Sequence, residues 1–170
     1  MEGVSRGPRA MVIVLMGVAG SGKTTVGRML AEELGWTFYD ADDFHSPANV
    51  EKMSHGIPLD DEDRRPWLER LRELIKDCLT NGRDAVLACS ALKESYRKYL
   101  LVDERVKLAY LKAKPALILE RLTDRSDHFM KAQMFDSQLA ALEEPEASTH
   151  YDASLQPTET VREIRKRLGV

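Results

Sequence analysis

Two cysteines in 170 residues, Cys78 and Cys89, sit in separate apolar stretches. That excludes a disulfide framework, which needs several paired cysteines, and it fits a reducing compartment such as the cytoplasm. The four histidines show no close metal-ligand spacing, so a structural zinc site is not expected. Charge of one sign is missing as well. Twenty-five basic residues against 28 acidic leave a net −3, with no global field to attract nucleic acid or an anionic membrane surface. No apolar run approaches the roughly 20 residues of a membrane-spanning helix. Arg6 and Arg9 before Ala10 to Met16 imitate a secretory signal, but the run ends in a glycine-rich segment with its own use.

What remains is an ordinary globular balance, 43% hydrophobic and 31% charged, at a length that suits one domain. The expected division is a flexible N-terminal tail over 1–10 and a single domain over 11–170. Apolar runs alternate with helical patterns. Met11 to Met16 is a continuous apolar run bounded by glycine, the pattern of a buried parallel strand. Val26, Met29, Leu30 and Leu34 recur at helical spacing, and Gly35 ends that helix. Further strands are expected at Thr37 to Asp40, Ala85 to Cys89, Val106 to Leu111 and Thr149 to Asp152. Helices are expected from Ser46-Pro47, around Trp67 to Leu79, at Leu92 to Leu101, from Pro115 to about Arg125, at Met130 to Leu142, and after a Thr158 cap. The order is repeated βα, which predicts an α/β fold with a mostly parallel sheet of about five strands and helices on both faces. Ligands of such sheets sit beyond the carboxyl ends of the strands.

Gly17-Val18-Ala19-Gly20-Ser21-Gly22-Lys23-Thr24 matches GxxxxGK(S/T), follows a strand and opens a helix. Its glycines let successive backbone N–H groups face a concave space, and the helix N-terminus adds partial positive charge. These residues and Thr25 are therefore expected to hold the phosphates of ATP or GTP. Lys23 can reach the β- and γ-phosphates, and the Thr24 hydroxyl can bind Mg²⁺. The spacing does not fit the dinucleotide pattern GxGxxG. Neither DxxG nor NKxD occurs, which argues against a GTPase switch and favours a small phosphotransferase of the P-loop kinase fold.

Asp40, Asp42 and Asp43 crowd the end of the second expected strand. Phosphoryl transfer to a hydroxyl needs Mg²⁺ ligation and a carboxylate near the attacking oxygen. Asp42 is assigned to the acceptor hydroxyl as base or orienting group, and Asp40 to Mg²⁺ and its waters. An extended chain would turn both to the same side. The competing reading is a capping and solvation cluster before the Ser46 helix. His45 is a candidate hydrogen-bonding partner of substrate.

Taken in order, GVAGSGKTTVG, FYDADDFH, GIPLDDEDRRPWL, CSALKESYR, HFM, and a later SQ and LEEP run from about Val12 to Pro145. This series resembles the gluconokinases of the small P-loop type related to shikimate kinase. The resemblance implies ATP- and Mg²⁺-dependent phosphorylation of D-gluconate at its 6-hydroxyl, by a homodimer. It implies that Arg64 takes the substrate carboxylate, for which a planar guanidinium is suited. Ser90, Lys93 and Arg97 become candidate substrate contacts, with Lys93 and Arg97 four residues apart on one expected helix face. A short helical lid is implied over about 121–130, with Arg121 and Arg125 over the transferring phosphoryl group and His128 joining the substrate pocket. Shikimate kinase is the nearest rival, but its glycine triplet after the third strand is replaced here by Cys89-Ser90-Ala91-Leu92-Lys93. The DGFPR segment of adenylate kinase is absent. A non-catalytic nucleotide-binding module is the remaining alternative, opposed by the presence of Lys23, Asp40 and Asp42 together.

Overall fold

The first strand, β1 (Val12–Met16), is buried at every position, and both of its edges are occupied. It pairs in parallel with β3 (Ala85–Ala88) on one side and with β4 (Val106–Lys112) on the other. Outside these lie β2 (Thr37–Asp40) and β5 (His150–Asp152), giving the order β2-β3-β1-β4-β5 with every pair parallel. The structure is a computed structural model that describes residues 9–123 and 128–170, with the side chains of residues 123 and 128–134 outside that description. Most of the expected N-terminal tail, residues 1–8, also lies outside it.

Alternation along β1 sends its side chains to two faces. Val12, Val14 and Met16 pack against Trp67, Leu68, Leu71 and Ile75 of α3 (Asp61–Thr80). On the same side they meet Tyr96 and Leu100 of α4 (Glu94–Leu100). Ile13 and Leu15 face the opposite way, toward Val26 and Leu30 of α1 (Lys23–Leu34) and Val161 and Ile164 of α7 (Pro157–Leu168). Beyond the sheet's carboxyl edge, Val18, Leu92, Ile118, Leu122 and Phe135 form a smaller cluster. It joins the phosphate loop to α5 (Pro115–Thr123) and α6 (His128–Ala141). Cys78 and Cys89 are free and buried.

Several boundaries differ from expectation for identifiable reasons. α2 (Pro47–Ser54) starts as foreseen, with the Ser46 hydroxyl accepting from the Asn49 amide at 3.2 Å. α3 starts six residues before Trp67. Asp60 and Asp63 form a reciprocal capping box there, which initiates the helix across Pro66. α4 starts at Glu94, because Lys93 is extended and serves as its N-cap. The N-cap of α7 is Gln156 with Pro157 at the first turn, so Thr158 lies inside the helix. Residues 147–149 form a 3-10 turn before β5. In α7, Arg167 is not simply a solvated residue: its guanidinium lies 4.0 Å over the Tyr151 ring and donates to the His150 carbonyl at 2.6 Å.

Candidate active site

The chain leaves β1 into a tight loop whose two internal glycines adopt left-handed conformations, φ 83° at Gly20 and 96° at Gly22. L residues resist such angles, so the curl depends on glycine. Gly17 is needed for space: a Cβ there would stand 2.4 Å from the Ser21 hydroxyl oxygen. The Val18 side chain anchors the loop in the small apolar cluster. The Ser21 amide closes the turn on the Val18 carbonyl at 3.1 Å. The Lys23 ammonium donates to that same carbonyl at 3.2 Å. Desolvation pulls the Lys23 pKa below the ordinary lysine value, and the carboxylates of Asp42 and Asp40 oppose the shift. The Ser21 hydroxyl is buried with no hydrogen-bond partner among the described residues. A buried orphan hydroxyl within a curl of backbone amides fits a loop built to receive phosphate oxygens.

This loop floors one end of a cleft of about 620 Å³, within the range of small-ligand sites. Gly20 to Thr25 line it, together with Ala153 and Leu155 from the β5–α7 connection and Pro157 and Thr160 of α7. Asp40, Asp42, His45, Leu59, Arg64, Trp67 and Ser90 line the same cleft. Segments that are distant in sequence thus border one space.

Asp40 ends β2, and one of its oxygens accepts the Asp42 amide at 3.0 Å. The capping role weighed for this cluster is therefore real for Asp40. The chain then turns into a 3-10 segment, Ala41–Phe44, instead of continuing extended. Asp40 and Asp42 reach the same cleft through that turn. Partial desolvation and the neighbouring Asp40 push the Asp42 pKa up, with Lys23 pulling the other way, while the side chain itself remains largely exposed. The ring of His45 stacks on Trp67 at 4.4 Å and 13°, and the Trp67 indole N–H donates to the Ala41 carbonyl at 2.6 Å. Burial, with the Arg64 charge nearby, lowers the His45 pKa to about 4, so the imidazole is neutral at neutral pH. Its Nε2 lies 3.9 Å from Asp42. Its Nδ1 lies 3.4 Å from Nδ2 of the Asn49 side chain, a donor, which favours the tautomer with the proton on Nε2.

Arg64, on the first turns of α3, borders the cleft; its Nη1 donates to the Leu59 carbonyl and, at 3.2 Å, to the Tyr96 hydroxyl. Ser90 borders the cleft just past β3. Lys93 and Arg97 do not border it. Lys93 pairs with Asp61 at 3.1 Å. Arg97 is 6% exposed, and its Nη1 donates to the carbonyls of Ala91 at 2.9 Å and Leu92 at 3.1 Å. The assumed common helix face fails because Lys93 is extended, so the two side chains diverge. For Arg97 the structure corrects the substrate-contact expectation: it is an internal brace for the loop after β3. Cys89, whose thiol burial pushes up to about 12, is packing and not a nucleophile.

Arg121 belongs to α5, so the implied lid begins inside an ordered helix. Its guanidinium donates to the phosphate-loop carbonyls of Gly20 at 3.2 Å and Ser21 at 3.3 Å, and to the Ala153 carbonyl at 2.6 Å. It therefore ties the loop to the β5–α7 connection. Arg125 lies outside the described residues. His128 opens α6, but its side chain is among those not described.

Three contributors carried a sequence signal that residue chemistry alone did not assign. Gln138, of the SQ pair, accepts the Ala19 amide at 2.6 Å and so joins α6 to the phosphate loop. Glu143, of LEEP, accepts the Glu94 amide at 2.9 Å and caps α4. Its own amide donates to the Leu92 carbonyl at 2.8 Å. Tyr96 lay unremarked within CSALKESYR. Among the described residues no three His, Cys, Asp or Glu side chains converge on one point. Mg²⁺ takes few protein ligands and completes its shell with phosphate oxygens and water. Thr24 and Asp40, both on the cleft, are the side chains that fit this partial role.

Similarity to known proteins agrees with this geometry. The shikimate kinase family profile matches residues 19–168. A probable gluconokinase of Xenopus tropicalis is 43% identical over 159 residues, covering 84% of this chain and 84% of that protein. The gluconokinase of Gluconobacter oxydans is 46% identical over 140 residues, covering 82% of this chain and 79% of that protein. The crystal structure of a gluconokinase from Sinorhizobium meliloti superposes with a TM-score of 0.84 at 37% identity, covering 96% of this chain and 94% of that one. Sequence and fold agree over nearly the whole domain, and the chain belongs to the gluconokinase branch of the shikimate kinase family.

Proposed function

We propose that the protein transfers the γ-phosphoryl group of ATP to the 6-hydroxyl of D-gluconate, giving 6-phospho-D-gluconate and ADP. One observation carries this reading. A single cleft joins the phosphate loop and Lys23 to an acceptor end that offers a carboxylate, Asp42, and a cation, Arg64. A sugar acid has the complementary ends: a hydroxyl to be phosphorylated and a carboxylate to be held.

The amides of Gly20, Ser21 and Gly22 and the Lys23 ammonium hold the β- and γ-phosphates. Lys23 also offsets the charge that develops during transfer. Thr24 and Asp40 are the residues that would hold Mg²⁺, which supplies charge neutralisation between the phosphates. Asp42 orients the 6-hydroxyl and accepts its proton as the new P–O bond forms and the bond to ADP breaks. Its raised pKa strengthens it as a base. His45 donates through Nε2 to a substrate hydroxyl, and Ser90 offers a second hydroxyl contact. Arg64 binds the carboxylate.

Arg121 braces the nucleotide end, while Arg125 and His128 act from a lid over about 121–130 that closes on both substrates. We also propose a homodimer in the cytoplasm. Among the described residues no helix is long and apolar enough to cross a membrane.

The test is a coupled assay of ADP release over gluconate, other sugar acids and shikimate. Gluconate should be the best acceptor. A preference for shikimate, or ADP release independent of acceptor, would overturn the reading. Light scattering after size exclusion checks the dimer.

A further inference from the structure

The geometry points to Tyr96 as a positioning residue that sets preference for an acidic acceptor by fixing the guanidinium of Arg64. This rests on the reading of Arg64 as the carboxylate contact. Tyr96 touches no part of the cleft and is 5% exposed, with its ring in the core beside Met16, Trp67 and Leu100. Its hydroxyl is the only polar part, and it is used twice. It accepts from Arg64 Nη1 at 3.2 Å and donates to Asp61 Oδ1. The same Asp61 oxygen accepts from Lys93 Nζ at 3.1 Å. The guanidinium carbon of Arg64 lies 5.4 Å from the centre of the Tyr96 ring.

The consequence is directional. Arg64 Nη1 is committed to the Leu59 carbonyl and the Tyr96 hydroxyl. Nε and Nη2 make no hydrogen bond among the described residues. A guanidinium held by one nitrogen presents its remaining donors in a fixed plane, and bidentate recognition of a carboxylate needs such a plane. An arginine free to rotate would lose part of its binding energy to ordering. Asp61 could compete for Arg64, but its Oδ1 is engaged by Lys93 and Tyr96. Lys93 thus acts through Asp61, outside the cleft.

Tyr96→Phe removes the hydroxyl and keeps the ring, so the core is retained; circular dichroism and thermal melting verify this. Steady-state kinetics are then measured with gluconate. D-glucitol, an uncharged polyol of the same length, serves as alternative acceptor or competitive inhibitor. The expected result is a roughly two- to tenfold rise in the gluconate KM, the size of one hydrogen bond. The constants for ATP and D-glucitol and kcat should stay within about twofold. In an Arg64→Ala background, Tyr96→Phe should add nothing, because its effect passes through Arg64.

An unchanged gluconate KM in folded Tyr96→Phe, beside a wild type that prefers gluconate, overturns the role of Tyr96 alone. So does a Tyr96→Phe effect that persists in full without Arg64. If wild-type protein shows no preference for the acid over the polyol, the reading of Arg64 falls, and the role of Tyr96 with it.

Discussion

Lowering the pH should destabilise the protein through one identifiable ring. The His45 side chain is 4% exposed, and its pKa falls from 6.5 to about 4 on folding. A base with a depressed pKa binds its proton less well when folded. Its neutral form therefore supports the fold fully above the unfolded value, and that support is lost as pH falls toward the folded value. At about pH 5 the unfolded chain is mostly protonated at this site and the folded protein mostly not, which amounts to about 2 kcal/mol. The side chain is too enclosed for solvent to screen much of that. The assay is urea unfolding followed by tryptophan fluorescence, at neutral pH and at about pH 5, for wild type and His45→Gln. His55, His128 and His150 are common to both proteins, so their contributions cancel in the difference. Wild type should lose about 2 kcal/mol more than the variant between the two conditions. Equal losses, or a His45 ring that titrates near 6.5 by NMR, would refute the argument.

Three other outcomes are expected. Lys23→Ala should cost roughly 10²–10³ in kcat, since the charge developing on the phosphates goes unmet; near-normal turnover would remove the phosphate-loop assignment. Asp42→Asn should lower kcat by roughly 10²–10⁴ with gluconate KM little changed, and should abolish the acidic limb of the pH–rate profile. Because Asp40 raises the Asp42 pKa, Asp40→Asn should move that limb to lower pH. Arg97→Met leaves the carbonyls of Ala91 and Leu92 without their buried donor and should cost about 2–4 kcal/mol in chemical unfolding. It should leave gluconate discrimination intact, whereas a direct substrate contact would alter it.

The sheet was legible because β1 and β3 are unbroken apolar runs and β4 is mostly apolar, and all five strands lie within a residue of expectation. Ends written in charged residues were harder. The start of α3 reads as a polar loop unless Asp60 and Asp63 are seen as reciprocal caps across Pro66. At the site, a local motif sufficed for the phosphate loop, but the Asp40–Asp42 segment was expected to be extended and instead turns into a 3-10 segment. Arg97 was misread because spacing of four implies a shared face only when both residues are helical, and Lys93 is extended. The supports from Gln138 and Glu143 depend on which distant segments meet, and that is set by strand order and not by neighbours in sequence.

Strand order also governs how this chain can be made. Of the five strands β1 is the first to be synthesised, and all five of its side chains are buried in the finished protein. Its partners begin only at Ala85 and Val106. Through that interval a strongly apolar segment leaves the ribosome with neither edge satisfied, and β3 can cover one side but not the other. Parallel pairings at such separation form slowly. The strand that carries the phosphate loop is therefore the part of the nascent chain most in need of a chaperone or of dilution. Truncated chains that stop before β4 should accumulate as aggregates, with the nucleotide loop never assembled.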